Sequence, residues 1–369
     1  MIAISRLAYA ATAAVALAAI PAHGLAQSTK VLFLPGKGEG SSDWSSTVSA
    51  VQSSGLQLSS VGAADLPGGS VFPSQLSWLT TYYSSSLGSN SVVIGHSNGG
   101  IVARLASYGQ SLLGTATIAS QNQGLPAITN ADALVEYGSD MLWDAAVTIN
   151  DFLAGDYYWL LDDVFLYAYD YWVELGGGME LVEDWAGLGS PVAVQDEIGS
   201  GFLVDTLNAS SHVSTELANS GTSVAVRVVA ENYYYGGPLR LVSSASGAYD
   251  WHVFINGLGV GLLGGAQYIY NNSYPLTDQN YREMDDLTVL SVLLFNYEDA
   301  WCAGISEPHY YEPWIMNCYD NDGFVPQVRQ GRPGSVTVVD WSGASAHKQE
   351  VNETDRIVTL LNAQFSIPF

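Results

Sequence analysis

The chain is poor in basic side chains: 11 lysines and arginines stand against 36 aspartates and glutamates in 369 residues, a formal net charge of -25. Such a surface repels phosphate backbones, which excludes nucleic acid as a partner and disfavours anionic membranes. Charged residues of both signs make up only 13% while hydrophobic ones reach 48%, which excludes both a disordered chain and a coiled coil. Cysteine is rarer still. Cys302 and Cys318 are the only two, and without clustered histidines two thiols cannot build a structural zinc site. Long apolar runs are few. His252 to Tyr270 contains no acid, lysine or arginine, but its many glycines argue against stable membrane insertion and for a buried or interfacial segment. No internal repeat is visible.

What is present begins with a leader pattern. Arg6 precedes an alanine-rich apolar stretch, Leu7 to Ile20, broken only by Thr12; Pro21 ends it, and Gly24-Leu25-Ala26 offers a small-x-small cleavage site before Gln27. Residues 1–26 are expected to be a signal peptide and the mature chain to be secreted or periplasmic, where Cys302 and Cys318 are expected to pair as a disulfide. Beyond the leader, short β-branched or aliphatic runs alternate with helical patterns. Strands are expected at Val31–Leu34, Leu56–Val61, Ser91–Ile94, Thr115–Ser120, Ser223–Ala230 and Ser335–Asp340. Helices are expected at Ser41–Val51 (capped by Ser41 or Ser42), Pro73–Leu87 and Asp355–Gln364. The alternation describes an α/β fold with a mostly parallel sheet flanked by helices. The composition changes twice. Residues 131–190 carry a tryptophan- and tyrosine-rich helix whose Asp156, Asp163, Asp170 and Glu174 form one acidic stripe, expected to be a cap or lid; residues 232–317 are a second insertion rich in glycine and aromatics. The core is therefore divided into 27–130, 191–231 and 318–369.

The chemistry centres on Gly95-His96-Ser97-Asn98-Gly99, a G-x-S-x-G turn between the strand Ser91–Ile94 and a helical pattern from Ile101. That context lifts a serine hydroxyl clear of its backbone, and Gly95 and Gly99 remove the Cβ atoms that would clash across the turn. A serine needs a base to take its proton and a carboxylate to orient the base. For a strand–turn–helix nucleophile these follow in the order Ser, acid, His. Of six histidines, His23 falls in the leader, His96 sits beside the serine, and His212, His252 and His309 precede the best acid. His347 remains, in a loop past the last strand, where parallel-sheet sites are built. For the acid, Asp322 in Asp320-Asn321-Asp322-Gly323-Phe324-Val325-Pro326 is favoured over Asp320 and the more distant Asp340, because Phe324-Val325 can bury the carboxylate. The same cluster offers too few acids for a calcium loop. Two backbone N–H groups are expected to meet the developing oxyanion, one from Asn98 and one from Lys37 in the glycine-rich loop Pro35–Gly40.

Taken together these stretches resemble the α/β-hydrolase lipases and esterases, particularly the secreted bacterial lipases. Thr117 to Pro126 is similar to that family's strand ending in T-P-H-x-G-x-P; Gly199 to Asn208 resembles its G-S-x-F-L…L-N segment; Asn321-Asp322-Gly323-Phe324-Val325 and His347-Lys348-Gln349-Glu350-Val351-Asn352 resemble its acid and histidine loops. The resemblance implies triad roles for Ser97, Asp322 and His347 and an acyl-enzyme route to ester hydrolysis. Three departures qualify it: Pro35-Gly36 stands where the family has His-Gly, which changes the support of the oxyanion donor; Gln349 stands where the family has a calcium-binding aspartate, so no metal or cofactor is expected; and the spacing of Cys302 and Cys318 differs from the family's. The sequence thus points to a secreted serine hydrolase acting on a small-molecule or lipid ester. An amidase or peptidase with the same triad, or a non-catalytic binding protein on a hydrolase fold, are the alternatives.

Overall fold

The computed structural model describes residues 29–37, 39–67, 72–125, 206–230, 245–282, 284–285, 287–288, 291–292, 295, 321–322, 325–344 and 347–369. The expected leader, the cap at 131–190, Asp320 and both cysteines lie outside these residues. Strands β1 (Thr29–Leu34), β2 (Leu58–Ala63), β3 (Ser91–His96), β4 (Leu112–Ile118), β5 (Ser220–Ala230) and β6 (Thr337–Ala344) form one sheet in the order β2-β1-β3-β4-β5-β6. Every pairing in it is parallel.

A parallel sheet covered on both faces needs continuous apolar strands, and successive side chains go to opposite sides. Val31 and Phe33 point with Val92, Ile94, Ile118, Val224 and Val226 into one core, which Trp44, Val51, Leu360, Leu361 and Phe365 close. Leu32 and Leu34 point with Val93 into the other, closed by Leu79, Ile101, Val102 and Leu105. A 3-10 turn ending at Trp44 and helices α1 (Ser45–Ser53) and α7 (Thr354–Phe365) supply the first set, α2 (Phe72–Tyr82) and α3 (Asn98–Gly109) the second. Phe33 stacks on Trp44 with ring centroids 4.6 Å apart. Each such fully buried side chain contributes roughly 1.5–3 kcal/mol by leaving water.

The elements differ from the sequence expectation mainly at their ends. The first helix opens as a 3-10 turn, Ser41–Trp44, before α1, and its N-cap is Gly40 rather than Ser41 or Ser42. Gly40 is extended there, and its N–H donates to the Asp43 carboxylate at 2.7 Å, so the acid closes the turn that a serine hydroxyl is expected to close. β6 begins and ends later than expected, at Thr337–Ala344. Helix α4 (Ser210–Asn219) has no counterpart in the sequence expectation; its face carries few apolar residues, and Val213 alone is a buried hydrophobe. The stretch expected to be buried or interfacial belongs to α5 (Ala245–Asn272), a helix of 28 residues. It is not a buried core segment: Val253, Phe254, Val260 and Tyr268 are exposed, and His252–Asn272 is by length and composition apolar enough to cross a membrane. A four-residue helix, α6 (Gln327–Gln330), follows the Asp322 loop.

Candidate active site

The strand order reverses direction between β1 and β3, the place where the loops at the carboxyl ends of adjacent parallel strands diverge and leave a crevice. The glycine-rich loop leaves β1 here, and the serine turn leaves β3 beside it. Ser97 occupies φ 50, ψ -122, a conformation that side chains rarely adopt. Its N–H donates to the Ile118 carbonyl at 2.9 Å and its carbonyl accepts from Gly100 N–H at 3.0 Å, so the ladder and the first helical turn hold the strain. A Cβ at Gly95 would lie inside contact of the Gly99 carbonyl and the Gly100 nitrogen. That is the physical requirement behind the glycine.

The structure brings the three expected triad residues together. Ser97 Oγ lies 2.9 Å from His347 Nε2, and His347 Nδ1 lies 2.8 Å from Asp322 Oδ2. All three are buried, Asp322 completely. A carboxylate only accepts, so Nδ1 carries the ring hydrogen and Nε2 is left to accept from the serine hydroxyl. Asp322 is itself fixed: Oδ1 accepts from Val325 N–H at 2.7 Å and Oδ2 also from Gln330 Nε2 at 3.3 Å. The backbone joins the two loops as well, His347 N–H donating to the Asp322 carbonyl at 3.0 Å. Asp340, the distant competitor for the acid, is instead spent on Arg227, at 2.8 and 2.9 Å across β5 and β6.

Of the two expected oxyanion donors, Asn98 directly follows the serine and Lys37 follows Gly36, which approaches Ser97 closely. Asn98 opens α3, and its side-chain carbonyl accepts from Gln121 Nε2 at 3.1 Å, which pins the residue. Lys37 is buried in the β1 loop, which Gly36 brings against the elbow. A Cβ there would sit 3.1 Å from Ser97 Cβ and 2.9 Å from a Glu39 oxygen. The helix behind the serine is anchored by Arg104, fully buried, which donates to Glu216 at 3.1 and 3.2 Å, to Asn208 at 3.1 Å and to Asn122 at 3.3 Å. Arg332 joins the same glutamate. Burial pulls the Arg332 guanidinium down to about 10, against the attraction of Glu216.

A second charged group surrounds the first, and the sequence expectation does not contain it. His96, fully buried, places Nδ1 3.0 Å from Glu39 Oε2 and Nε2 3.2 Å from Glu350 Oε2. Burial alone would push this imidazole down, but the two carboxyl groups outweigh it and lift it to about 10. Burial works on Glu39 in the opposite sense from its neighbours: desolvation raises it, but the His96 charge and the Gly36 N–H hold it below the usual carboxylate range. Glu350, wholly enclosed and facing Asp322, is pushed well above that range. The His96 ring is thus held between the Glu39 carboxylate on one side and the Glu350 carboxyl on the other. The sequence does hold one signal for Glu350: it lies three residues after His347 in the 3-10 turn His347–Asn352, where positions i and i+3 eclipse. His96, His347 and Glu350 also bring potential metal-ligand atoms within 4.8 Å of one another. Both ring nitrogens of His347 are committed to Ser97 and Asp322, so a cation there would have to break the serine–histidine–aspartate chain.

A parallel sheet of this order, with a strained serine elbow after its third strand and a histidine loop after its last, is an α/β-hydrolase fold. Among solved structures the chain is similar to the lipase BlEst2 of Bacillus licheniformis in its mature form, at 12% identity and a TM-score of 0.43, over 92% of this chain and 94% of that one. It is similar also to the propeptide form of that lipase, at 11% identity and a TM-score of 0.41, over 94% of this chain and 52% of that one. No described family matches the sequence, and no curated protein matches it.

Proposed function

We propose that the chain is a serine hydrolase that cleaves carboxylic esters. The observation that carries this reading is the unbroken hydrogen-bond chain Ser97–His347–Asp322, set on a backbone that strains the serine outward. His347 Nε2 takes the hydroxyl proton as Ser97 Oγ attacks the ester carbonyl, and the Asp322 carboxylate holds the imidazolium that forms. The oxyanion of the tetrahedral intermediate is met by the N–H groups of Asn98 and Lys37. His347 then gives its proton to the departing alcohol, leaving an acyl-Ser97 ester. Water, deprotonated by the same nitrogen, attacks that acyl group, and the collapse returns the carboxylic acid and the free serine.

The substrate is a neutral small-molecule or lipid ester. A net charge of -25 repels anionic substrates and favours departure of a carboxylate product. The leader pattern supports a mature protein in the periplasm or outside the cell. The test is hydrolysis of p-nitrophenyl esters from acetate to palmitate by the mature protein and by Ser97→Ala. Turnover that disappears in the variant supports the reading, and the best chain length separates esterase from lipase. A folded protein that turns over no ester but cleaves anilides is an amidase, and one that does neither is a binding protein.

A further inference from the structure

We propose that Glu39 and His96 are positioning residues for the oxyanion loop: the Glu39–His96 pair fixes Gly36 and Lys37 against the Ser97 elbow and ties that loop to the histidine loop through Glu350. This rests on the ester-hydrolase reading and deepens it.

The geometry is a single path through three loops. Gly36 N–H donates to Glu39 Oε2 at 2.6 Å, while Glu39 N–H donates back to the Gly36 carbonyl at 3.3 Å. These two bonds close a turn that carries Lys37. They also occupy Gly36 N–H, so that group is not free to meet an oxyanion. The same Glu39 oxygen takes a hydrogen bond from His96 Nδ1 at 3.0 Å. His96 immediately precedes Ser97, so the loop is fastened to the nucleophile's own strand. Its other nitrogen lies 3.2 Å from Glu350, three residues beyond His347, and its ring packs on the His347 ring with centroids 4.8 Å apart. Neither nitrogen of His96 faces Ser97, so it moves no proton in the reaction.

A pair with 0% and 5% side-chain exposure is costly to desolvate, and apolar residues of the same volume would hold a loop with less penalty. What an ion pair adds is a fixed direction and distance. An oxyanion hole needs both, because its donors act only on the charge that develops in the transition state. Nδ1 of His96 hydrogen-bonds to Glu39, whereas Nε2 meets Glu350 as a 3.2 Å charge contact without hydrogen-bond geometry.

The test compares the mature protein with Glu39→Ala and Glu39→Gln, using p-nitrophenyl butyrate and counting active sites by fluorophosphonate titration. Glu39→Ala is expected to lower kcat per titrated site about 10- to 100-fold with KM within about twofold, the signature of support lost in the transition state alone. Glu39→Gln keeps an acceptor for Gly36 and loses the charge facing His96, so its kcat is expected to fall between the two, at least about threefold below the unmodified protein. Should Glu39→Ala fail to fold, Glu39→Gln decides the matter alone. A merely structural role would lower the melting temperature or the titrated fraction and leave kcat per site unchanged; that result in both variants overturns this inference and leaves the ester reading standing. No turnover and no fluorophosphonate labelling in the unmodified protein overturns the ester reading and this inference with it.

Discussion

Replacing Asp322 by asparagine changes one atom, and the surrounding hydrogen bonds dictate the consequence. Oδ1 accepts from the Val325 N–H at 2.7 Å, so in the variant the amide oxygen is drawn to that donor. The amide NH2 then occupies the place of Oδ2, facing His347 Nδ1 and Gln330 Nε2. Gln330 cannot turn its amide to help, because Nε2 also donates to the Val228 carbonyl at 3.0 Å and the Val325 carbonyl at 2.8 Å. His347 is left to accept at Nδ1, which puts its hydrogen on Nε2, against Ser97 Oγ. A base in that tautomer cannot take the hydroxyl proton. The opposite amide orientation keeps the tautomer but sets NH2 against a buried N–H donor, at about 1–3 kcal/mol. The expected loss in kcat is about 10⁴-fold, or roughly 5.5 kcal/mol of barrier, with the fold retained. The assay is kcat on p-nitrophenyl butyrate near pH 8, alongside a thermal melt to show that the variant is folded. Activity within about tenfold of the unmodified protein, or a larger loss from Asp320→Asn than from Asp322→Asn, would refute the reasoning.

Two other expectations concern the frame. Gly95→Ala drives a methyl group into the backbone of Gly99 and Gly100, which cannot move without releasing the elbow, so a denaturant titration is expected to show a loss of about 3 kcal/mol or more; a change below about 1 kcal/mol contradicts the close approach. His96 holds its proton to about pH 10 when folded, against an ordinary value of 6.5, so its stabilisation is complete below about pH 6.5 and is lost as pH rises toward 10. Unfolding free energy should therefore fall by on the order of a few kcal/mol between pH 7 and 10, and His96→Gln should flatten that slope. Glu39, held below its ordinary value, titrates outside this window. An equal slope in the two proteins contradicts the charged His96.

Much of the fold is legible because the signal is strong where the physics is simple. Val92-Val93-Ile94 is buried on both faces of the sheet and reads as a strand from composition alone. Ser97, Asp322 and His347 stand out by chain order and turn context, which survive a separation of 250 residues between the serine and the histidine. Their meeting follows from the sheet, since every pairing is parallel and the loops at one end converge. The residues that escape have no local pattern. Glu39 looks like a solvated charge in a glycine-rich loop until the fold places His96 beside it, 57 positions along the chain. His96 drops out of the sequence argument because a residue next to the nucleophile faces away from it. That orientation is what sends its ring between two carboxyl groups. Helix α4 escapes because its apolar residues are too few to make a stripe, its anchor being Glu216 on two buried arginines. The α5 stretch reads from the sequence as apolar and uncharged but not as one helix of 28 residues, since its glycines weaken a helix without forbidding one.

The most direct test of the account is the rate of p-nitrophenyl ester hydrolysis by the mature protein beside Ser97→Ala, each shown to be folded. The account requires turnover at one or more chain lengths in the unmodified protein and its loss, by about 10³-fold or more, in the variant. Turnover that persists in Ser97→Ala, or none at any chain length in the unmodified protein, contradicts it.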